Sequence, residues 1–226
     1  MSKFTSNKKI IDSDMLISEC PSGFEWAKSF NQETAYVKGE TKYLIVGTLT
    51  PPDGRGEMQR KQSDITFSGY FYCSRKNDMY MFLDRAFKNR TTKLTDLKQA
   101  LRTNWDPFIK DKIIEELKNR KVAFLDVVDQ AYVLPATAKH CSSDNTINSY
   151  KPDYEAFKKI DFSGLTIIPN SKNAEKVLRH ILKKIGKDNM IVHDVIPQMM
   201  LGYKRFKGEH KDKLIQEWID ALNLNP

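Results

Sequence analysis

The chain has 226 residues, 40% hydrophobic and 29% charged, and 37 basic against 29 acidic residues leave a net charge of +8. That size and composition suit one globular domain, here read as residues 1–226, and exclude an intrinsically disordered chain. No apolar run approaches the roughly 18 residues a bilayer span needs, and Met1 to Lys9 lacks the apolar stretch of a secretion signal, so the sequence reads as cytoplasmic, with no membrane partner.

Up to Thr41 the pattern is mixed and assigns no element, so residues 1–40 read as an N-terminal extension packed on the domain. Lys42-Tyr43-Leu44-Ile45-Val46-Gly47 is a short apolar run stopped by glycine, the pattern of a buried parallel strand. Thr50 to Gly56, rich in Pro and Gly, predicts a loop that continues to Ser68. Asp78 to Phe87 sets Met79, Phe82, Leu83, Ala86 and Phe87 on one helical stripe. Further helices are expected over Leu94–Leu101 and after Pro107. Val122 to Val128 predicts a second strand, Tyr154–Ile160 a short helix, and Leu165–Ile168 a third strand ended by Pro169-Asn170. Ala174, Val177, Leu178, Ile181, Leu182 and Ile185 then repeat at helical spacing, with Gly186 as the stop. Met190–Ile196 predicts a fourth strand, and Leu214 to Leu222 a last helix.

Strands alternating with helices predict the α/β class: a three-layer sandwich, its central mostly parallel four-stranded sheet covered by helices on both faces. Ligands in such sheets bind beyond the carboxyl ends of the strands. Those ends are Gly47–Thr48, Asp126–Asp129, Asn170–Ser171 and Pro197–Gln198, which form the candidate site.

Familiar cofactor and nucleophile motifs are missing. The chain has no GxxxxGK[ST], no GxGxxG after the first strand and no GxSxG. His140, His180, His193 and His210 lack HExxH spacing, and Cys20, Cys73 and Cys141 are far apart and odd in number. No metal, disulfide framework or cofactor is therefore expected. The basic surplus favours a polyanionic partner. Gly69 to Asp78 places Tyr70, Phe71, Tyr72, Arg75, Lys76 and Asn77 just before a helix. Aromatic faces can stack a base, and cations at a helix start can hold phosphate. The same residues could serve structure alone, Asn77 as an N-cap and Phe71 as core.

These segments resemble the uracil-DNA glycosylase superfamily, in the branch of the mismatch-specific and hypoxanthine-DNA glycosylases. Gly47-Thr48-Leu49-Thr50-Pro51, Gly69-Tyr70-Phe71-Tyr72 and Arg75-Lys76-Asn77-Asp78-Met79-Tyr80 are similar to that family's first motif. Asp126-Val127-Val128, Ser143-Asp144-Asn145-Thr146-Ile147, Ile167 to Ala174 and Lys213 to Trp218 resemble its later segments, in order. Three features depart: the Pro51–Gly69 loop is longer, Met79-Tyr80 stands where Phe-Trp is common, and the second motif reads Pro197-Gln198-Met199-Met200-Leu201-Gly202.

The resemblance implies a monomeric, monofunctional glycosylase that binds DNA, flips out a damaged or non-standard base and hydrolyses its N-glycosidic bond. Asn77 would position the water, Asp126 would read or polarise the base, and Phe71 or Tyr72 would stack it. Gly47, Thr48 and Asn170 would complete the base pocket, with backbone N–H groups near Thr48 steadying the departing anion. Ser171, Lys172, Gln198, Met199, Lys204, Arg205 and Lys207 would face DNA, with an apolar wedge from Met199, Met200 or Leu201. Asp126 could instead be a loop-capping carboxylate, and the 202–208 segment an ordinary solvated loop. Three other readings stay open: a glycosylase for a bulky modified base in foreign DNA, an inactive DNA-binding module of the same fold, and an α/β enzyme for a small molecule.

Overall fold

The computed structural model describes residues 8–29, 31–49, 71–72, 78–103, 106–134, 147–197 and 209–222. In chain order the strands are β1 (Lys9–Ile10), β2 (Glu25–Lys28), β3 (Tyr43–Gly47), β4 (Val122–Asp126), β5 (Val128–Val133), β6 (Ile147–Pro152) and β7 (Thr166–Pro169). The α-helices are α1 (Met79–Ala86), α2 (Leu94–Thr103), α3 (Pro107–Asn119), α4 (Tyr154–Lys158), α5 (Lys172–Lys184) and α6 (Glu209–Ala221). The chain is an α/β protein with two sheets.

The parallel sheet has the order β4-β3-β7. Its strands read as continuous apolar runs because both faces are covered. Successive side chains alternate between two cores, as strand geometry requires. Ile45, Val122, Phe124 and Ile168 enter one core with α1, α2, α3 and α6, where Trp218 stacks on Phe82 at 6.3 Å between ring centroids. Leu44, Val46, Ala123, Leu125 and Ile167 enter the other with α4, α5 and the second sheet. Local chemistry sets the helix ends. Asp106 accepts the Phe108 N–H at 2.9 Å ahead of Pro107, a good first helical residue. Ser171 Oγ accepts the Ala174 N–H at 3.0 Å, and Gly186, at φ 70°, ends α5.

The expected single four-stranded sheet needs two corrections. The fourth parallel strand shrinks to one bridge, Ile167 to Val192. His193 N–H donates to the Ile167 carbonyl at 2.9 Å and Ile196 N–H to the Pro169 carbonyl at 3.1 Å. Two residues of β7 thus face three of the neighbouring segment, and Pro169 has no N–H to return, so the ladder cannot continue. The apolar run misleads here: Ile191 is 88% exposed.

The second sheet, order β1-β6-β5-β2, is mixed, with β1 parallel to β6 and the other pairs antiparallel. The apolar run 122–128 divides at Val127, whose N–H donates to the Gly47 carbonyl at 2.9 Å and whose carbonyl accepts the Asp153 N–H at 3.0 Å. There the chain passes from the parallel sheet to the mixed one. Residues 9–28, to which the sequence assigns no element, supply β1 and β2. Among the described residues no helix is long and apolar enough to cross a membrane.

Candidate functional site at the parallel strand ends

Gly47 and Asp126 are register partners at the carboxyl ends of β3 and β4. Asn170 follows β7 directly, and Tyr72 comes from the turn before α1. These four residues meet. A Cβ on Gly47 would overlap Asp126 Oδ1, lie 2.8 Å from the Tyr72 hydroxyl and 3.6 Å from Asn170 Nδ2. Glycine is needed for that close approach rather than for any special backbone angle. Asn170 Nδ2 donates to the Tyr72 hydroxyl at 2.8 Å.

Asp126 and Tyr72 are held from behind. Asp126, 1% exposed, has its backbone gripped by Asn31. The Asp126 N–H donates to Asn31 Oδ1 at 2.8 Å, and Asn31 Nδ2 donates to the Asp126 carbonyl at 2.7 Å. Asn31 Nδ2 also donates to Asp153 Oδ2 at 2.8 Å, which ties the strand end to the start of α4. Nothing in the sequence singles out Asn31; it is one polar residue in a stretch without periodicity. Tyr72 adopts φ 59°, an uncommon backbone for a bulky side chain. Its ring meets Phe124 edge-on, with centroids 4.6 Å apart. Strained conformations persist where their surroundings over-determine them, and they concentrate at functional sites.

The other expected residues divide as follows. Thr48 Oγ1 and Ser171 Oγ are 3.2 Å apart, linking the β3 end to the N-cap of α5. Lys172 is exposed in the first turn of that helix. Phe71 is fully buried in the helical core, its carbonyl accepting the Tyr80 hydroxyl at 2.7 Å. Of the two aromatic candidates, Tyr72 is the one in the strand-end cluster. Asn77, Gln198, Met199, Lys204, Arg205 and Lys207 lie outside the described residues. Among the described residues no three His, Cys, Asp or Glu side chains are grouped to hold a metal.

Clefts among the described residues draw lining from the mixed sheet. One, of about 420 Å³, is lined by Lys8, Thr48, Tyr150, Asn173 and Lys176 among others. The second, about 460 Å³, is lined by Lys28, Lys159, Asp129, Asp153 and Glu155 among others. Burial, reinforced by the nearby Asp153 carboxylate, pushes the Asp129 carboxyl above its usual range.

The chemistry of the cluster is complementary. Asp126 brings a carboxylate, Asn170 a donor-acceptor amide and Tyr72 a hydroxyl, all nearly dehydrated. Such a set suits a polar planar ring with donors and acceptors along its edge.

No family model and no curated protein matches the chain. Among solved structures, it is similar to a solution NMR structure of a protein from Methanosarcina acetivorans provisionally named a uracil DNA glycosylase. The identity is 16% and the TM-score 0.45, over 83% of this chain and 94% of that one.

Proposed function

We propose that the chain is a monofunctional DNA glycosylase, which extrudes a damaged or non-standard base and hydrolyses its N-glycosidic bond. The carrying observation is the convergence of Gly47, Tyr72, Asp126 and Asn170 at the parallel strand ends. The motif resemblance and the net charge of +8 add support, since binding DNA begins with phosphate neutralisation.

A base stacked in a duplex is out of reach of side chains, so it must swing out, at a cost of a few kcal/mol. The Asn170 amide, oriented by the Tyr72 hydroxyl, reads the base edge. Asp126 faces the same space and polarises the ring. Breaking the glycosidic bond leaves negative charge on the base and positive charge on the sugar. Asn77, by resemblance, directs a water at that sugar through its amide oxygen. An amide is too weak a base to deprotonate water early, so bond breaking runs ahead of water attack. No lysine enters the scheme as a nucleophile, so the product is an intact strand with an abasic site.

The test is base release from duplexes carrying uracil, hypoxanthine, a mismatch or a bulky modified base. The expected product is an abasic site that breaks only on alkaline treatment. Asn77→Ala should abolish release while duplex affinity stays within a few-fold. Full activity in that variant would remove Asn77 from the chemistry, and no release from any duplex would overturn the glycosylase reading.

A further inference from the structure

The cleft of about 420 Å³ begins one residue beyond Gly47, because Thr48 lines it. Its apolar floor is Val128, Ile147, Tyr150 and Val177. Lys8, Asn173 and Lys176 give it polar and cationic groups, and among the described residues no carboxylate lines it. Among the described residues, the other cleft beside the mixed sheet is lined by three carboxylates and two lysines. Taken over the described residues that line them, the charges of the first cleft attract an anion and those of the second repel one. Lys176 is exposed and makes no ion pair among the described residues, whereas Arg179, one turn further along α5, is engaged by Glu175 at 2.8 Å.

We infer that this cleft is a second nucleotide subsite, which holds a phosphodiester and the sugar beside the extruded nucleotide, with Lys176 neutralising the phosphate. Thr48 connects the two sites: it lines the cleft, and its hydroxyl lies 3.2 Å from Ser171 Oγ at the start of the same helix. A volume of a few hundred Å³ with an apolar floor and a few polar groups is what a small-ligand site requires. The identity of the polymer rests on the glycosylase reading; the anionic character of the cleft's ligand does not.

The experiment compares Lys176→Ala with Lys183→Ala, a second exposed lysine on α5 away from the cleft lining. With a uracil- or hypoxanthine-containing duplex, Lys176→Ala should raise KM about five- to tenfold, the loss of one charge-assisted contact. It should also lower the slope of log affinity against log salt by about one. Wild type should lose the same factor when one neutral methylphosphonate replaces the phosphate next to the target nucleotide. On that substrate Lys176→Ala should lose nothing more, as expected for two changes that remove one contact.

Wild-type KM and salt slope in Lys176→Ala would overturn the inference, as would an equal loss in Lys183→Ala or full additivity with every methylphosphonate position. If wild type released no base, anisotropy on the same duplex would still decide the matter. A salt slope that depends on Lys176 would then uphold an anion subsite while the glycosylase reading fell.

Discussion

Gly47 decides whether Asp126 and Tyr72 can meet above the strand ends. Its missing side chain is the space into which Asp126 and Tyr72 project. Gly47→Ala forces two groups apart, and overpacking of this kind costs about 1–3 kcal/mol. The variant should unfold at lower temperature and, on the proposed function, lose base release. Adding Tyr72→Phe removes the hydroxyl from the crowd and should recover part of the stability. It should not recover activity, because the overlap with Asp126 remains. Wild-type melting and turnover in Gly47→Ala would show that the close approach is unimportant. At this scale the sequence was legible where backbone topology does the placing. Asp126 and Asn170 end apolar runs, and apolar runs that end in polar residues mark the mouth of a parallel sheet. Asn31 was not legible, because its role depends on a contact across 95 positions of sequence.

Between elements, α4, α5 and the segment after β1 meet at one hydroxyl. Tyr154 donates to Asp12 Oδ1 at 3.0 Å, and its oxygen lies 3.1 Å from His180 Nε2. Burial, then the Asp12 carboxylate, pushes the Tyr154 phenol up to about 12 from an ordinary 10.0. An unfolded chain therefore releases this proton first as pH rises. Between about pH 10 and 12 the folded state binds more protons than the unfolded one, so stability falls with pH through that window. Below it the contribution is complete. Ultraviolet difference titration of wild type against Tyr154→Phe should show a phenolate forming near 12, and a transition near 10 would discard the buried, carboxylate-facing environment. The same elements show what periodicity can and cannot read. The stripe of α5 is unmistakable because one face is apolar at every turn. The mixed sheet is not: β5 and β6 bury Gln130 and Ser149, and β1 is two residues long. Polar residues inside a short strand erase the alternation that would announce it.

Across the whole molecule, the parallel sheet is the wall shared by two cores, with alternate residues of each strand committed to opposite sides. Losing either core strips one face of the sheet, and a parallel sheet with one bare face exposes a broad apolar surface to water. The cores should therefore fail together, although the mixed sheet draws on residues 9–28 as well as 128–152. The tryptophans provide the test. Trp218 is fully buried in the helical core, and Trp26 lies in β2 of the mixed sheet, its indole N–H donating to the Met15 carbonyl at 2.9 Å. Two variants isolate them: Trp26→Phe with Trp105→Phe, and Trp218→Phe with Trp105→Phe. Within each, the midpoint of denaturant unfolding by fluorescence should equal that by far-ultraviolet circular dichroism. Comparing two signals within one variant cancels whatever stability the substitutions remove. A Trp26 midpoint well below the loss of helix would mean that the mixed sheet opens by itself. The cleft carrying Lys176 would then lose its Ile147 and Tyr150 floor while the strand-end cluster kept its contacts, and, if that cleft is the inferred subsite, DNA affinity would decline with denaturant before Trp218 reported any change.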